Sequence, residues 1–217
     1  AAHVASRLSP FDDALWAVIE PLLPEAEVWP RLHEVLLAGL RSANALDFSG
    51  AAVDGSHIRS MKGGSKRAEA LSTVRQTGSK HHLVTDATGT PLAATLTGGN
   101  RDDVTQLIPL LEAVPPVRGR RGRPRRRRDV VLGDRGYDHD KYRRTVADLG
   151  VKPLIYHRGT EHGSGPRTQR RVEGSAFTHL HSFRRLRIRW DTRDDSHEGF
   201  LTLGCALICW RRLCSRC

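Results

Sequence analysis

Asp129-Val130-Val131-Leu132-Gly133-Asp134-Arg135-Gly136 is an aliphatic run that ends on an acid beside glycines. Two β-branched residues and a leucine, stopped by a glycine, fit a short buried strand at 130–132. The pattern occurs once more upstream, where Ala51-Ala52-Val53 runs into Asp54-Gly55-Ser56-His57. An acid at the end of a buried strand has its backbone in the core and its oxygens in a cleft. Asp-Gly and Asp-Arg-Gly are also ordinary turn signals, so spacing alone leaves both readings open.

The neighbouring segments set these two strands in a layered domain. Residues 80–97 read as a hairpin around Thr88-Gly89-Thr90-Pro91. Val104, Leu107, Ile108 and Leu111 share one face of a helix over 104–113, and a helix near 139–149 precedes a strand at 151–156. Apolar residues at helical spacing predict helices at 11–23 and 29–41. Residues 62–79 and 158–170 read as loops, and from 171 the chain reads helical to its end, with a break near 191–195. Helices, strand, hairpin, helix, strand, helix, strand and helices imply an α/β fold, a mixed sheet with helices on both faces.

The 217 residues carry 35 Lys and Arg against 24 Asp and Glu, a net charge of +11. An excess dominated by arginine suits phosphate and points to nucleic acid as the partner. No run of about 18 apolar residues exists, so no membrane span is expected, and the first ten residues lack the apolar stretch of a secretory signal. A cytoplasmic, nucleoid-associated protein is the expectation. All four cysteines lie at 205–217. They make no distributed disulfide framework, and Cys205 and Cys209 read as small buried residues.

Eight of the eleven residues at 118–128, RGRRGRPRRRR, are arginine. The tract reads as a basic linker that orders on DNA, with Arg121, Arg123, Arg125 and Arg126 as contacts. Its centre, Arg121-Gly122-Arg123-Pro124, resembles an AT-hook, a motif that lies in narrow A·T minor grooves. Further on, Arg184, Arg185, Arg187 and Arg189 alternate with Phe183, Leu186, Ile188 and Trp190. The apolar set is expected to face the core and the arginines to meet phosphate. Lys80 and Arg135 are further candidates near the acids. Asp102 and Asp103 stand before a helix and read as caps or first-turn charges.

From Ala52 to Leu213 the chain resembles the catalytic region of DDE-class insertion-sequence transposases. The resemblance lies in VDGSH (53–57), TGSKHHLVTDATGTPL (77–92), LTGGNRDDVTQLIPLL (96–111), GDRGYDHDKYRR (133–144), HSFRRLRIRW (181–190) and DDSHEGFLTLGCALICWRRL (194–213). It implies a ribonuclease-H-like catalytic domain over 49–213, with a basic loop at 115–128, a truncated helical segment at 1–48 and a tail at 214–217. It further implies two Mg²⁺ or Mn²⁺ ions held by Asp54, Asp134 and Glu173, acting on double-stranded transposon-end and target DNA, with a homodimer joining two ends. Glu173 precedes Phe177 by four residues where the family pattern has three. Only Glu25–Val28 separates LWAVIEPLLP from WPRLHEVLLAGLR, where family members have a long stretch. A DNA-binding remnant without chemistry, or a nuclease that cuts without joining, are the alternatives to a complete transposase.

Overall fold

Val53, Val84 and Val131 are fully buried and mark the centre of a mixed sheet. The computed structural model describes residues 28–62, 66, 68–69, 77–157, 159 and 177–215. The helix expected at 11–23 and the acid Glu173 lie outside the described residues.

In chain order, helix α1 (Val28–Ser42) leads into strand β1 (Gly50–Ser60), followed by the two-residue β2 (Ala68–Glu69) and by the hairpin β3 (Thr77–Asp86) and β4 (Pro91–Gly98). A 3-10 turn (Asp103–Gln106) and helix α2 (Leu107–Glu112) cross to β5 (Val130–Gly133). A second 3-10 turn (Arg135–Tyr137), helix α3 (Asp140–Asp148) and β6 (Lys152–Ile155) follow. After the described chain resumes come α4 (Arg184–Arg187), β7 (Ile188–Arg189) and α5 (Asp194–Cys214).

The five main strands lie in the order β4-β3-β1-β5-β6. β3 runs antiparallel to both β4 and β1, whereas β1, β5 and β6 run parallel. Parallel strands need a crossover, and α2 and α3 supply the two crossovers. This is the mixed sheet with helices on its faces that the sequence implies. No helix among the described residues is long and apolar enough to cross a membrane.

Strand alternation divides the core in two. Val53 and Val84 point to the face covered by Leu107, Leu110 and Leu111 of α2 and Val146 of α3. Leu83 points to the other, where Phe177, Leu180, Leu186, Leu201, Cys205 and Ile208 gather. Cys205 and Cys209 are buried and unbridged. The hairpin turn is organised by the buried Asp86, whose carboxylate accepts from the backbone N–H groups of Thr88 at 3.0 Å, Thr90 at 2.7 Å and Asp47 at 2.9 Å.

The C-terminal region departs from the expected helix. A helical turn at 177–181 and α4 are followed by β7, which pairs parallel with β1 through Arg59↔Ile188. The expected alternation fails there too: Arg189 is fully buried, while Trp190 is 47% exposed. Five donor contacts account for this. The Arg189 guanidinium donates to Asp191 O at 3.0 Å, Lys66 O at 3.3 Å, Ser79 Oγ at 2.9 Å, Thr192 O at 3.2 Å and the Asp194 carboxylate. A hydrogen-bonded ion pair tolerates burial, and removing one partner strands the other. Arg189→Met is expected to destabilise the domain by about 3–5 kcal/mol in denaturant titration.

Three buried histidines add a pH dependence. His33 Nε2 bonds Pro91 O at 3.0 Å, His81 Nε2 meets His197 Nε2 at 2.9 Å, and His82 Nε2 meets Thr97 Oγ1 at 2.7 Å. Burial lowers His33 and His82 to about 4 and holds His81 well below the ordinary 6.5. The unfolded chain therefore binds protons from pH 6.5 downward that the folded chain refuses, at His33 and His82 until about pH 4. Stability is complete above 6.5 and is lost as pH falls, at roughly 1.4 kcal/mol per pH unit for each histidine. Thermal melts from pH 7.5 to 5 should show a steadily falling Tm; a flat profile would contradict the neutral histidines.

Candidate active site

Val53 of β1 pairs with Gly133 of β5 in parallel register. The residues that follow, Asp54 and Asp134, therefore emerge side by side on strands about 4.8 Å apart. Asp54 is half-buried, and its Oδ1 accepts from Gly55 N–H at 2.8 Å. Asp134 is exposed and caps the short 3-10 turn after β5, accepting from Gly136 N–H at 2.8 Å. Burial pushes the Asp54 carboxyl up from 3.8 to about 6; the Gly55 amide opposes this, and the charges of Asp134 and Asp103 reinforce it. Two carboxylates held together in part-buried surroundings repel one another, and a divalent cation relieves that repulsion. Their hard oxygens suit Mg²⁺ or Mn²⁺.

Asp103 is closer to this centre than its sequence context indicated. It occupies the first turn of the 3-10 segment, as expected, but its carboxylate also lies against Gly55. A Cβ at position 55 would meet Asp103 Oδ1 at 2.6 Å, so only glycine admits the contact. Lys80 Nζ pairs with Asp103 at 3.1 Å and donates to Arg101 O at 2.8 Å, while His82 Nδ1 lies 3.7 Å from the same carboxylate. Directly opposed residues of an antiparallel pair share a face. Gly55↔His82 and His57↔Lys80 thus mark one face, and Asp54↔Leu83 the other. Lys80, expected as a phosphate contact near the acids, is committed to Asp103 on the face away from Asp54. The glycine after the first acid was the available signal for this close approach.

Among the described residues no group of three His, Cys, Asp or Glu is arranged to hold a metal ion. The third acid named from sequence, Glu173, lies outside them. The described chain resumes at Phe177, which packs in the cluster containing Leu83, the cross-strand partner of Asp54.

The family described as Transposase DDE domain matches residues 46–209, a span containing both strand-end aspartates and Glu173. This chain belongs to the DDE transposase domain family. It is 58% identical over 136 residues to a protein described as the proposed transposase of insertion sequence element IS402 from Burkholderia cepacia, covering 63% of this chain and 64% of that one. The chain thus spans a little under two thirds of that relative's length. Among solved structures, the Mos1 mariner transposase catalytic domain aligns with TM-score 0.37 and 14% identity, covering 89% of this chain and 95% of that one. A simian T-cell lymphotropic virus intasome aligns with TM-score 0.44 and 14% identity, over 72% and 48%.

The basic residues of this DDE domain divide into engaged and free. Arg185 pairs with Asp191 at 3.3 Å and stacks on the Phe200 ring at 5.3 Å. Arg125 meets Asp129 at 3.2 Å and covers the Phe48 ring at 5.2 Å, and Arg126 donates to Val114 O at 2.8 Å and to Glu112 O. These three, expected as DNA contacts, are exposed and each has partners within the fold. Arg135 follows Asp134 in the short 3-10 turn and also has a partner. Arg184 and Arg187 are exposed on α4, beside Leu186, which packs into the Leu83 cluster.

The raised Asp54 carboxyl has a stability cost with a definite sign. A carboxyl whose folded pKa exceeds its unfolded value favours folding when protonated, and that contribution is lost as pH rises through about 6. Moving it from 3.8 to about 6 is worth roughly 3 kcal/mol at most. In EDTA, Asp54→Asn is expected to melt higher than the parent chain at pH 8, and the difference should vanish below pH 4. An Asn variant no more stable at pH 8 would mean that the carboxylate is well solvated.

Proposed function

We propose that this DDE domain cleaves transposon-end DNA and joins it to target DNA by two-metal phosphodiester chemistry, with Asp54, Asp134 and Glu173 as the ligands. The observation that carries the reading is the Val53↔Gly133 pairing, which brings two family-matched acids together on adjoining strands. Asp54, Asp134 and Glu173 would supply the carboxylate oxygens that hold the ions. Bound Mg²⁺ or Mn²⁺ supplies charge stabilisation for both the entering and the leaving oxygen of an in-line displacement.

The protein's own part is positioning. The Gly55 and Gly136 N–H groups hold one oxygen of Asp54 and of Asp134, leaving the other oxygen of each available. Exposed Arg184 and Arg187 lie near the same face and contact the DNA backbone there. The partner is double-stranded DNA, and joining two ends calls for a pair of chains.

The test is a nicking assay with labelled duplex carrying the element's terminal repeats. Metal-dependent cleavage is expected from the parent chain, with a drop of at least 100-fold in Asp54→Ala, Asp134→Ala and Glu173→Gln. Full activity in Glu173→Gln would remove that residue from the ligand set. DNA binding without any metal-dependent nicking would support the remnant reading in its place.

A further inference from the structure

The arginine-rich tract is a built loop with two kinds of arginine in it. Val117 and Arg125 exchange both backbone hydrogen bonds at 2.9 Å, closing residues 118–124 into a short projection. The base is pinned from every side. Arg41 donates to Val117 O, and Ser42 Oγ donates to Gly119 O at 2.7 Å. Arg120 reaches back to Arg41 O at 3.3 Å and to the Asn44 side chain. Arg127 donates to Gly150 O, and the buried Arg128 approaches Leu111 O at 3.4 Å. Arg120, Arg126, Arg127 and Arg128 therefore satisfy carbonyls at or just past the C-terminal ends of α1, α2 and α3, where cations are favoured.

Arg118, Arg121 and Arg123 differ. All three are exposed, and none has a hydrogen bond or ion pair with a described residue. Between the last two, Gly122 adopts φ +97°, a conformation that L side chains resist, and a Cβ placed there would touch nothing within 4 Å. The glycine meets a demand of backbone handedness alone. It leaves a narrow, unobstructed ridge with one guanidinium before it and one after it, and Pro124 adds no backbone donor.

We infer that the 118–124 projection is a separate DNA-contact element that inserts Arg121 and Arg123 into the minor groove of an A·T-rich duplex. The groove is about 6 Å wide, too narrow for a helix but open to a ridge without a side chain at its crest. A·T tracts narrow it further and deepen its negative potential, which attracts guanidinium groups. The element lies at the opposite end of β5 from the acids. Its base ends beside Asp129, while Asp134 follows the strand, so five residues of extended chain place them roughly 16 Å apart. It therefore grips DNA about five base pairs or more from any phosphate at Asp54 and Asp134.

The test measures binding in EDTA, so it does not depend on whether the acids cut DNA. Fluorescence anisotropy with the full chain compares duplexes of equal length, one with an A·T-rich and one with a G·C-rich centre. R121A/R123A is expected to lose at least tenfold in affinity for the A·T duplex and much less for the G·C duplex. Its log K against log salt slope should fall by about 2, with the thermal melt unchanged because neither side chain holds the fold. R121K/R123K, which keeps the charge, should lose the A·T preference. Unchanged affinity in R121A/R123A, or equal loss on both duplexes, would overturn the assignment.

Discussion

The parallel hydrogen bonding of β1 with β5 is the constraint on which the rest depends. It joins segments far apart in the chain, and the loop-closure entropy must be met before the pairing contributes. The buried Ala51, Val53 and Val131, covered by α2 and α3, provide the compensation. With the register of Val53 and Gly133 set, no freedom remains in where the two acids emerge. A slip of one residue would turn Asp54 to the opposite face of the sheet. The candidate site is thus a by-product of strand pairing, and its accuracy is that of the core.

Much of this was legible in the chain because it is local. Aliphatic runs stopped by glycine and an acid marked β1 and β5, turn residues marked the β3/β4 hairpin, and helical spacing marked α1. What was not legible depends on partners distant in sequence. Arg189 looked like one more surface arginine in an alternating stretch. Its inward position follows from β7 joining β1 and from the carbonyls of residues 66, 191 and 192 closing around it. Asp103 read as a first-turn charge because Gly55, which leaves room for its carboxylate, is distant in the chain. Lys80 looked available for phosphate because its counter-ion is 23 residues away.

The placement of charge in the two faces is unequal, and that inequality has a physical reason. On the Gly55 face, Asp103, Lys80 and His82 form a compact set with opposite charges in contact, so little net field remains. On the other face the charge of Asp134 adds to that of the half-buried Asp54. Burial raises the energy of that second arrangement, which is tolerable in a fold whose sheet is held by apolar contacts on both sides. Under the proposed metal role, function and stability make opposed demands at Asp54.

The arginine tract carries a consequence for how this protein can change over time. By composition its eight arginines are interchangeable, yet four of them terminate helices and another shields an aromatic ring. Excising the tract as though it were an appendage would expose frayed carbonyls on three helices at once. Drift should be confined to the crest at 121–123, where a lineage could reshape the proposed DNA contact while the flanking positions stay locked by the architecture beneath.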